Sequence, residues 1–188
     1  MLEYPDKLVL RINELYYTLG GEDYDCSHEE ILILEPPRWK RVAGALVANS
    51  AHQKKTILDV GSGTGFVATV LGPYLTDKDQ FICLDISQKF LDQCKLNLEN
   101  KKFKCQLVYK QYNGMLLPFE DKSIDILTLN SVLHHIPNTE LFLGEVDRVL
   151  KRGGYLVIGH EANRRFYKNK AVWTLYRILY VFLIRHPL

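Results

Sequence analysis

Three alternating glycines, Gly61, Gly63 and Gly65, follow an apolar run carrying the acid Asp59, in the stretch TILDVGSGTGF from Thr56 to Phe66. Glycine at such positions lets the chain turn sharply and lets a ligand approach the backbone. Amides at the start of a following helix favour anionic or polar groups. Asp85 ends a second apolar run, FICLD, twenty residues after Gly65. A carboxylate there can accept hydrogen bonds from both hydroxyls of a ribose, and it disfavours a 2′-phosphate. A plainer reading stands beside this one, since acids often cap the helix after a strand and Ser87 suits that cap equally well. Loop and acid together, at this spacing, point to a nucleoside-like ligand. The dinucleotide fingerprint G-x-G-x-x-G needs glycine at position 66, where this chain has Phe66, which counts against a nicotinamide-dependent oxidoreductase.

A second group of chemically capable residues lies further on. His134 and His135 follow the apolar run SIDILTLNSV, and His160 and Glu161 follow YLVIG. Adjacent histidines rarely converge on one ion and no third ligand is evident, so no metal site is expected. His135 and His160 are the candidates for a base or a substrate contact. Each reads equally well as a histidine whose ring is satisfied within the fold. The four cysteines, Cys26, Cys83, Cys94 and Cys105, lack C-x-x-C spacing and read as reduced packing thiols of a cytoplasmic protein.

The elements that must hold these residues alternate in type. Helical spacing from Pro5 to Leu19 predicts one helix, and Pro36-Pro37 suit the start of another whose apolar face carries Trp39, Val42, Leu46 and Val47. TILDV, QFICLDI, CQLVYKQ, SIDILTLNSV and YLVIG read as strands. Helices are predicted over Gly65–Leu75, Gln88–Asn100 and Pro137–Leu150, the last stopped by Gly153-Gly154. Apolar strands alternating with amphipathic helices imply an α/β, Rossmann-like, doubly wound parallel sheet. Ligands of such sheets bind at the carboxyl ends of the strands, where the topology switches, and the glycine loop lies at such an end. Residues 1–50 are expected to form a helical cap of the same domain, 51–161 the ligand-binding core, and 162–188 a basic, apolar helical tail or lid.

With a formal net charge of +2, the chain carries no general signal for a polyanion. An acidic segment, Gly20 to Glu35, and a basic one, Ala162 to Leu188, read as solvated faces, as mutually attracting segments, or as a contact with an anionic surface. The N-terminus has no signal-peptide pattern, and no run reaches the roughly 18 to 20 apolar residues of a membrane span.

From about Pro37 to Glu161 the chain resembles the class I S-adenosylmethionine-dependent methyltransferases. The resemblance is carried by LDVGSGTG, the acid of CLDIS, LPFEDKSIDILTLNSVLHHIPN and EVDRVLKRGGYLVIGHE, in that order. These segments are most similar to the small-molecule and lipid methyltransferases of that class. The resemblance implies S-adenosyl-L-methionine as cofactor and assigns its site residue by residue. Asp59 would orient the methionine ammonium, and Gly61 would offer it a carbonyl, with Ser62 and Gly63 beside the nucleoside. Asp85 would hold the ribose diol and Ile86 would pack on the adenine. The family usually has an Asp in the turn before LPF, where this chain has Asn113 followed by Gly114; the Asn carbonyl would accept from the adenine amino group and the next amide would meet the ring. Asn130 and Ser131 would lie under the methionine part.

The implied activity is methyl transfer to a small, hydrophobic or lipid-like acceptor. The alternative is a catalytically silent cofactor-binding module acting through a partner. No nucleic acid is expected, since NSVL offers no stacking aromatic for a flipped base. The family's last two strands, an antiparallel pair beside the fifth, are not expected in the residues after YLVIGHE: either the sequence is an N-terminal piece of a longer protein or the fold is trimmed, and a trimmed fold would leave an apolar sheet edge unless the tail or a second subunit covers it. The tail AVWTLYRILYVFLIRHPL is apolar nearly all round. It is expected to pack as core or lid, with peripheral membrane contact through 164–188 or a homodimer as the alternatives.

Overall fold

The computed structural model describes residues 4–20, 28–48 and 54–161, together with Lys170 and Thr174. The acidic residues of 21–27, Cys26 and the expected roles of the 162–188 tail therefore lie outside the described residues.

Among the described residues three helices precede the sheet: α1 (Tyr4–Gly20), α2 (Glu29–Leu34) and α3 (Pro36–Ala48). Then come β1 (Thr56–Val60), α4 (Phe66–Leu71), β2 (Gln80–Asp85), α5 (Gln88–Glu99), β3 (Gln106–Gln111), β4 (Ile124–Asn130), α6 (Thr139–Val149) and β5 (Leu150–Gly159). The strands form one sheet in the order β3-β2-β1-β4-β5, and every pairing is parallel. The expected doubly wound sheet is thus present. Its order reverses between β1 and β4, and the glycine loop leaves β1 at that point.

Side chains alternate across a strand, so each buried run feeds two cores. Ile57, Phe81, Cys83 and Ile126 face a cluster with Trp39, Val67, Leu91 and Leu98. Leu58, Val60, Ile82, Leu84, Leu127 and Leu129 face another with Leu117, Phe142, Val146 and Val149. Burial on both faces explains why β1, β2 and β4 read as continuous apolar runs. Cys83, Cys94 and Cys105 are buried free thiols. The N-terminal helices share these contacts: Trp39 and Ala43 of α3 sit inside the first core.

Two element boundaries differ from expectation. The helix after the glycine loop ends at Leu71 and passes into a 3-10 turn, Gly72–Tyr74. Pro73 explains the change, since its ring cannot follow the preceding turn of an α-helix. The last helix, expected over Pro137–Leu150, spans Thr139–Val149, and it is not Gly153-Gly154 that stops it. It starts at Thr139, where the Asn138 side chain accepts the Leu141 N–H at 3.0 Å, and it ends at Val149. Leu150 is already extended and pairs with Ile124, whereas Tyr155 pairs with Ile126. The extra residues between them form a bulge in which Gly153 takes φ +77, so these glycines serve the strand. Lys151 ties the bulge down through both carboxylate oxygens of Asp125, at 2.9 and 2.8 Å.

Among the described residues β5 pairs with β4 alone, and Tyr155, Leu156 and Ile158 are exposed along it. The apolar edge expected from the sequence is therefore present in the described fold.

One stability prediction arises here. Gly144 sits inside α6, and a Cβ added there would meet nothing within 4 Å. Gly144→Ala is expected to stabilise the chain by about 0.5–1 kcal/mol, because the unfolded chain loses freedom and nothing clashes in the folded one. The unfolding midpoint in denaturant measures this, and a midpoint at or below wild type would contradict it.

Candidate active site

The register places Asp59 of β1 beside Thr128 of β4 on one side and Cys83 of β2 on the other. Asp85 ends β2 two residues beyond Cys83, so it projects to the same face. The glycine loop is drawn over the end of β2 by two bonds, from the Gly61 and Ser62 amides to the Leu84 carbonyl at 2.7 and 3.1 Å. The Gly63 N–H then donates to Asp85 Oδ2 at 2.9 Å, and the Ser87 N–H donates to Asp85 Oδ1 at 2.9 Å. One carboxylate thus clamps the loop after β1 to the turn after β2.

Two of the glycines are required for different reasons. Gly61 has φ +66, and a Cβ there would lie 2.4 Å from Val132 Cγ2, so the loop and the segment after β4 meet only over bare backbone. Gly63 has φ +51, and a Cβ there would meet no protein atom within 4 Å. Its bare backbone faces open space in the cleft.

The buried polar groups here are incompletely satisfied. Asp59 Oδ1 accepts the Thr128 hydroxyl at 2.6 Å, while Asp59 Oδ2 and Ser62 Oγ are buried with no hydrogen-bond partner among the described residues. Burial pushes the Asp59 carboxyl up to about 7; the Thr128 bond opposes this and the nearby Asp85 adds to it. Burial likewise raises Asp85 to about 6, against the pull of the Ser87, Gly63 and Ile86 amides.

The cleft opens to solvent and has a cavity volume of about 70 Å³. Gly61, Gly63, Asp85, Ile86, Gly114 and Asn130, all named from the sequence, line one part of it together with Ser131. The Asn130 side chain is held by the Trp39 indole N–H, which donates to Oδ1 at 3.0 Å. Asn113 is placed differently. Its carbonyl accepts the Met115 N–H at 3.0 Å in a local turn, and it lines a separate depression with Lys7, Arg11 and Glu14. Gly114, at φ +74, is the residue of that turn that faces the main cleft, and Leu10 of α1 packs on it.

The histidines separate. His135 lines the cleft, and its Nε2 lies 2.6 Å from the Tyr17 hydroxyl of α1. His160 is not among the residues lining the cleft; its Nδ1 faces Glu35 Oε1 at 3.2 Å. Glu35 is buried and also receives Arg38 at 2.6 Å. His134 turns away and bonds Glu161 through Nδ1 at 2.8 Å. Glu161 caps the short 3-10 helix Leu133–His135, accepting the Val132 and Leu133 amides at 2.8 and 2.7 Å. Burial alone would raise the Glu161 carboxyl, but bonds from His134 and these amides hold it below the usual range.

Sequence reasoning missed the contribution of α1 to this site. Leu10, Asn13 and Tyr17 all reach it, and the Asn13 amide donates to the His135 carbonyl at 3.0 Å. The available signal was their spacing, which sets two polar residues on the same helical stripe as an apolar one.

These features suit S-adenosylmethionine. A carboxylate accepts about four hydrogen bonds, so Asp85 retains capacity for a ribose diol beside its two amides. The unpartnered Asp59 and Ser62 oxygens suit a charged amino-acid end, and Gly63 presents bare backbone. A family model described as a methyltransferase domain matches residues 58–158. A ubiquinone/menaquinone biosynthesis C-methyltransferase from Shewanella baltica is 29% identical over 135 residues, covering 69% of this chain and 53% of its own length. The chain thus spans about half the length of the curated relatives it matches. A Methanococcus maripaludis protein solved as a candidate S-adenosyl-L-methionine-dependent methyltransferase shares the fold at TM-score 0.60 and 20% identity, over 85% of this chain and 74% of that one. The methyltransferase CalH, solved with S-adenosylhomocysteine, aligns at TM-score 0.52 and 22% identity over 65% of this chain and 35% of its own. From the matched domain, the parallel sheet and the clamped glycine loop together, the chain belongs to the methyltransferase domain family, with the class I S-adenosylmethionine-dependent fold.

Proposed function

We propose that the chain transfers a methyl group from S-adenosyl-L-methionine to a small, apolar or lipid-like acceptor. One observation carries this reading. A single cleft joins the glycine loop and Asp85 to a wall of Leu10, Phe90, Tyr112, Val132 and Ile136, and none of the described residues lining it is Lys or Arg. Such a wall favours an uncharged acceptor body. The names of the curated relatives, which place them in ubiquinone and menaquinone biosynthesis, support an apolar acceptor.

The bound cofactor supplies an electrophilic methyl group on its sulfonium. The chain's own residues hold and align. Asp85 would take the ribose, Ile86 and Gly114 would flank the adenine, and Asp59, Ser62 and Asn130 would hold the amino-acid end. The apolar wall excludes water, and fixing the acceptor in line contributes several kcal/mol to the barrier reduction. His160, tied to Glu35 outside the cleft, supports this chemistry less well than His135. A cytoplasmic location accords with the buried free thiols. Among the described residues no helix is long and apolar enough to cross a membrane. Exposed Leu8, Ile12 and Leu15 on α1 support contact with an apolar surface or substrate.

A second reading, a silent cofactor-binding subunit, draws on the Asn113 carbonyl spent within its own turn and on the exposed β5 edge. Methyl-labelled S-adenosylmethionine, incubated with the chain and a lipid extract or a polar metabolite fraction, separates the two. Label in the organic phase is the expected result. Label only in polar products would overturn the apolar acceptor, and bound cofactor with no transferred label would favour the silent subunit.

A further inference from the structure

We propose that Tyr17 and His135 form a proton relay for an acceptor hydroxyl carried on an apolar ring. Tyr17 is then the catalytic residue that touches the acceptor, and His135 the positioning residue behind it. The inference rests on the reading of the cleft given above.

The geometry is that of a hydrogen-bonded pair built from two distant segments. Tyr17 comes from α1 and His135 from the turn after β4, yet hydroxyl and Nε2 lie 2.6 Å apart. Both side chains line the cleft. Their rings meet edge-on, with centroids 5.4 Å apart, and Phe90 packs on Tyr17 at 5.4 Å. Asn13, one turn earlier on α1, holds the backbone of the same histidine. His135 is therefore fixed from both sides.

The charges around the pair favour a neutral imidazole. Burial lowers the His135 pKa below the ordinary histidine value, and His134, with ring centroids 4.0 Å away, lowers it further. Glu161 opposes them, and by bonding His134 it keeps a negative charge in the cluster that can compensate an imidazolium. Asp85 is the carboxylate in the cleft, and it is engaged with the Gly63 and Ser87 amides. Among the described residues lining the cleft, the Tyr17–His135 pair is thus the one arrangement in which a phenol bonded to an imidazole can take a proton.

The step balances without a co-reactant. The acceptor O–H bond breaks and its proton bonds to the Tyr17 oxygen. The Tyr17 O–H bond breaks and that proton bonds to His135 Nε2. The acceptor becomes an oxyanion, Tyr17 stays neutral, and His135 becomes an imidazolium. An acceptor with a weakly acidic hydroxyl on an aromatic body satisfies both the relay and the apolar wall. Such an oxyanion is a far better nucleophile, at oxygen or at a ring carbon, than its parent.

A coloured phenol tests this without methyl transfer. S-adenosylhomocysteine is first titrated into wild type, Tyr17→Phe and His135→Gln. 4-Nitrophenol is then added at about pH 6, where the free probe is mostly protonated, and its phenolate absorbance is read. The expected result is unchanged S-adenosylhomocysteine affinity in all three, a phenolate band with wild type, and a protonated bound probe with both variants. With a turned-over phenolic acceptor, Tyr17→Phe should lose about 100-fold in kcat/KM, and His135→Gln should also abolish the acid limb of the pH profile. That limb falls as pH drops through the lowered histidine pKa. Identical probe spectra in all three proteins, or no probe binding to wild type loaded with S-adenosylhomocysteine, would overturn the relay. Failure of wild type to bind S-adenosylhomocysteine would instead remove the cofactor reading, and the relay with it. A lower unfolding midpoint in both variants with unchanged spectra would reduce the pair to a seat for α1 and equally overturn the proposal.

Discussion

Asp85→Ala is expected to raise the dissociation constant for S-adenosylmethionine by about 100-fold or more, with the chain still folded. Asp85 acts twice. It fixes the loop through the Gly63 amide at 2.9 Å and the next turn through the Ser87 amide at 2.9 Å, and it offers its remaining lone pairs to the ribose. Hydrogen bonds to a charged group contribute about 1.5–3 kcal/mol each, so two lost ribose bonds alone reach two orders of magnitude. Release of the Gly63 amide adds to this by loosening the loop. The fold should survive because the carboxylate is itself costly to bury: burial raises its pKa to about 6. Asp85→Asn should fall between the two, since it keeps one acceptor oxygen and faces an amide with its own NH2. Calorimetric titration of the three proteins measures the series. A dissociation constant for Asp85→Ala within threefold of wild type would exclude ribose recognition at this carboxylate.

The parts of the fold legible in the sequence were those set by local pattern. TILDV and FICLD are buried on both faces, so they read as apolar runs, and each carries at or next to its end the acid that the site needs, Asp59 and Asp85. The spacing from loop to Asp85 is the length of one crossover, which pointed to one ligand beside both; that Asp85 also takes the Gly63 amide was not legible. The start of β5 was not legible, because a bulge with two glycines looks like a helix stop until Leu150 is seen pairing with Ile124. His135 and His160 were equivalent by sequence, each following a strand on the same rim. Their partners separate them: Tyr17 and Glu35 lie more than a hundred residues away, on helices whose docking no local pattern specifies. Asn113 illustrates a further limit. Its residue type permits an adenine contact, but a short polar side chain in a turn can bond its own backbone two residues on, and here it does.

Cofactor affinity is expected to rise with pH between about 5 and 7, and binding in that range is expected to release protons. The group responsible is Asp59. In the free chain its buried carboxyl is raised from 3.8 to about 7, so it is largely protonated at pH 6. Its folded value lies above the unfolded one. Its contribution to the stability of the free chain is therefore fully present below about 4 and lost as pH rises through about 7. A cationic ammonium placed against the unpartnered Oδ2 reverses the preference, because an opposite charge favours the carboxylate. Binding must then expel the proton, and affinity falls by up to about tenfold per unit as pH drops below 7. Asp85, raised to about 6, adds a lower window of the same sign. Asp59→Asn separates the two. It can still accept the Thr128 hydroxyl but carries no titrating charge, so the component near 7 should vanish while the lower one remains. Calorimetry in two buffers of different ionisation enthalpy counts the protons directly. Release near pH 6.5 in wild type, reduced in Asp59→Asn to the smaller share from Asp85, is the expected outcome; equal release in both would place the coupling elsewhere. The same variant should gain most stability over wild type at about pH 8, where the free chain otherwise buries a charge, less at about pH 5, and none below about 4. A stability gain equal at both values would mean that Asp59 is not the group whose burial sets this dependence.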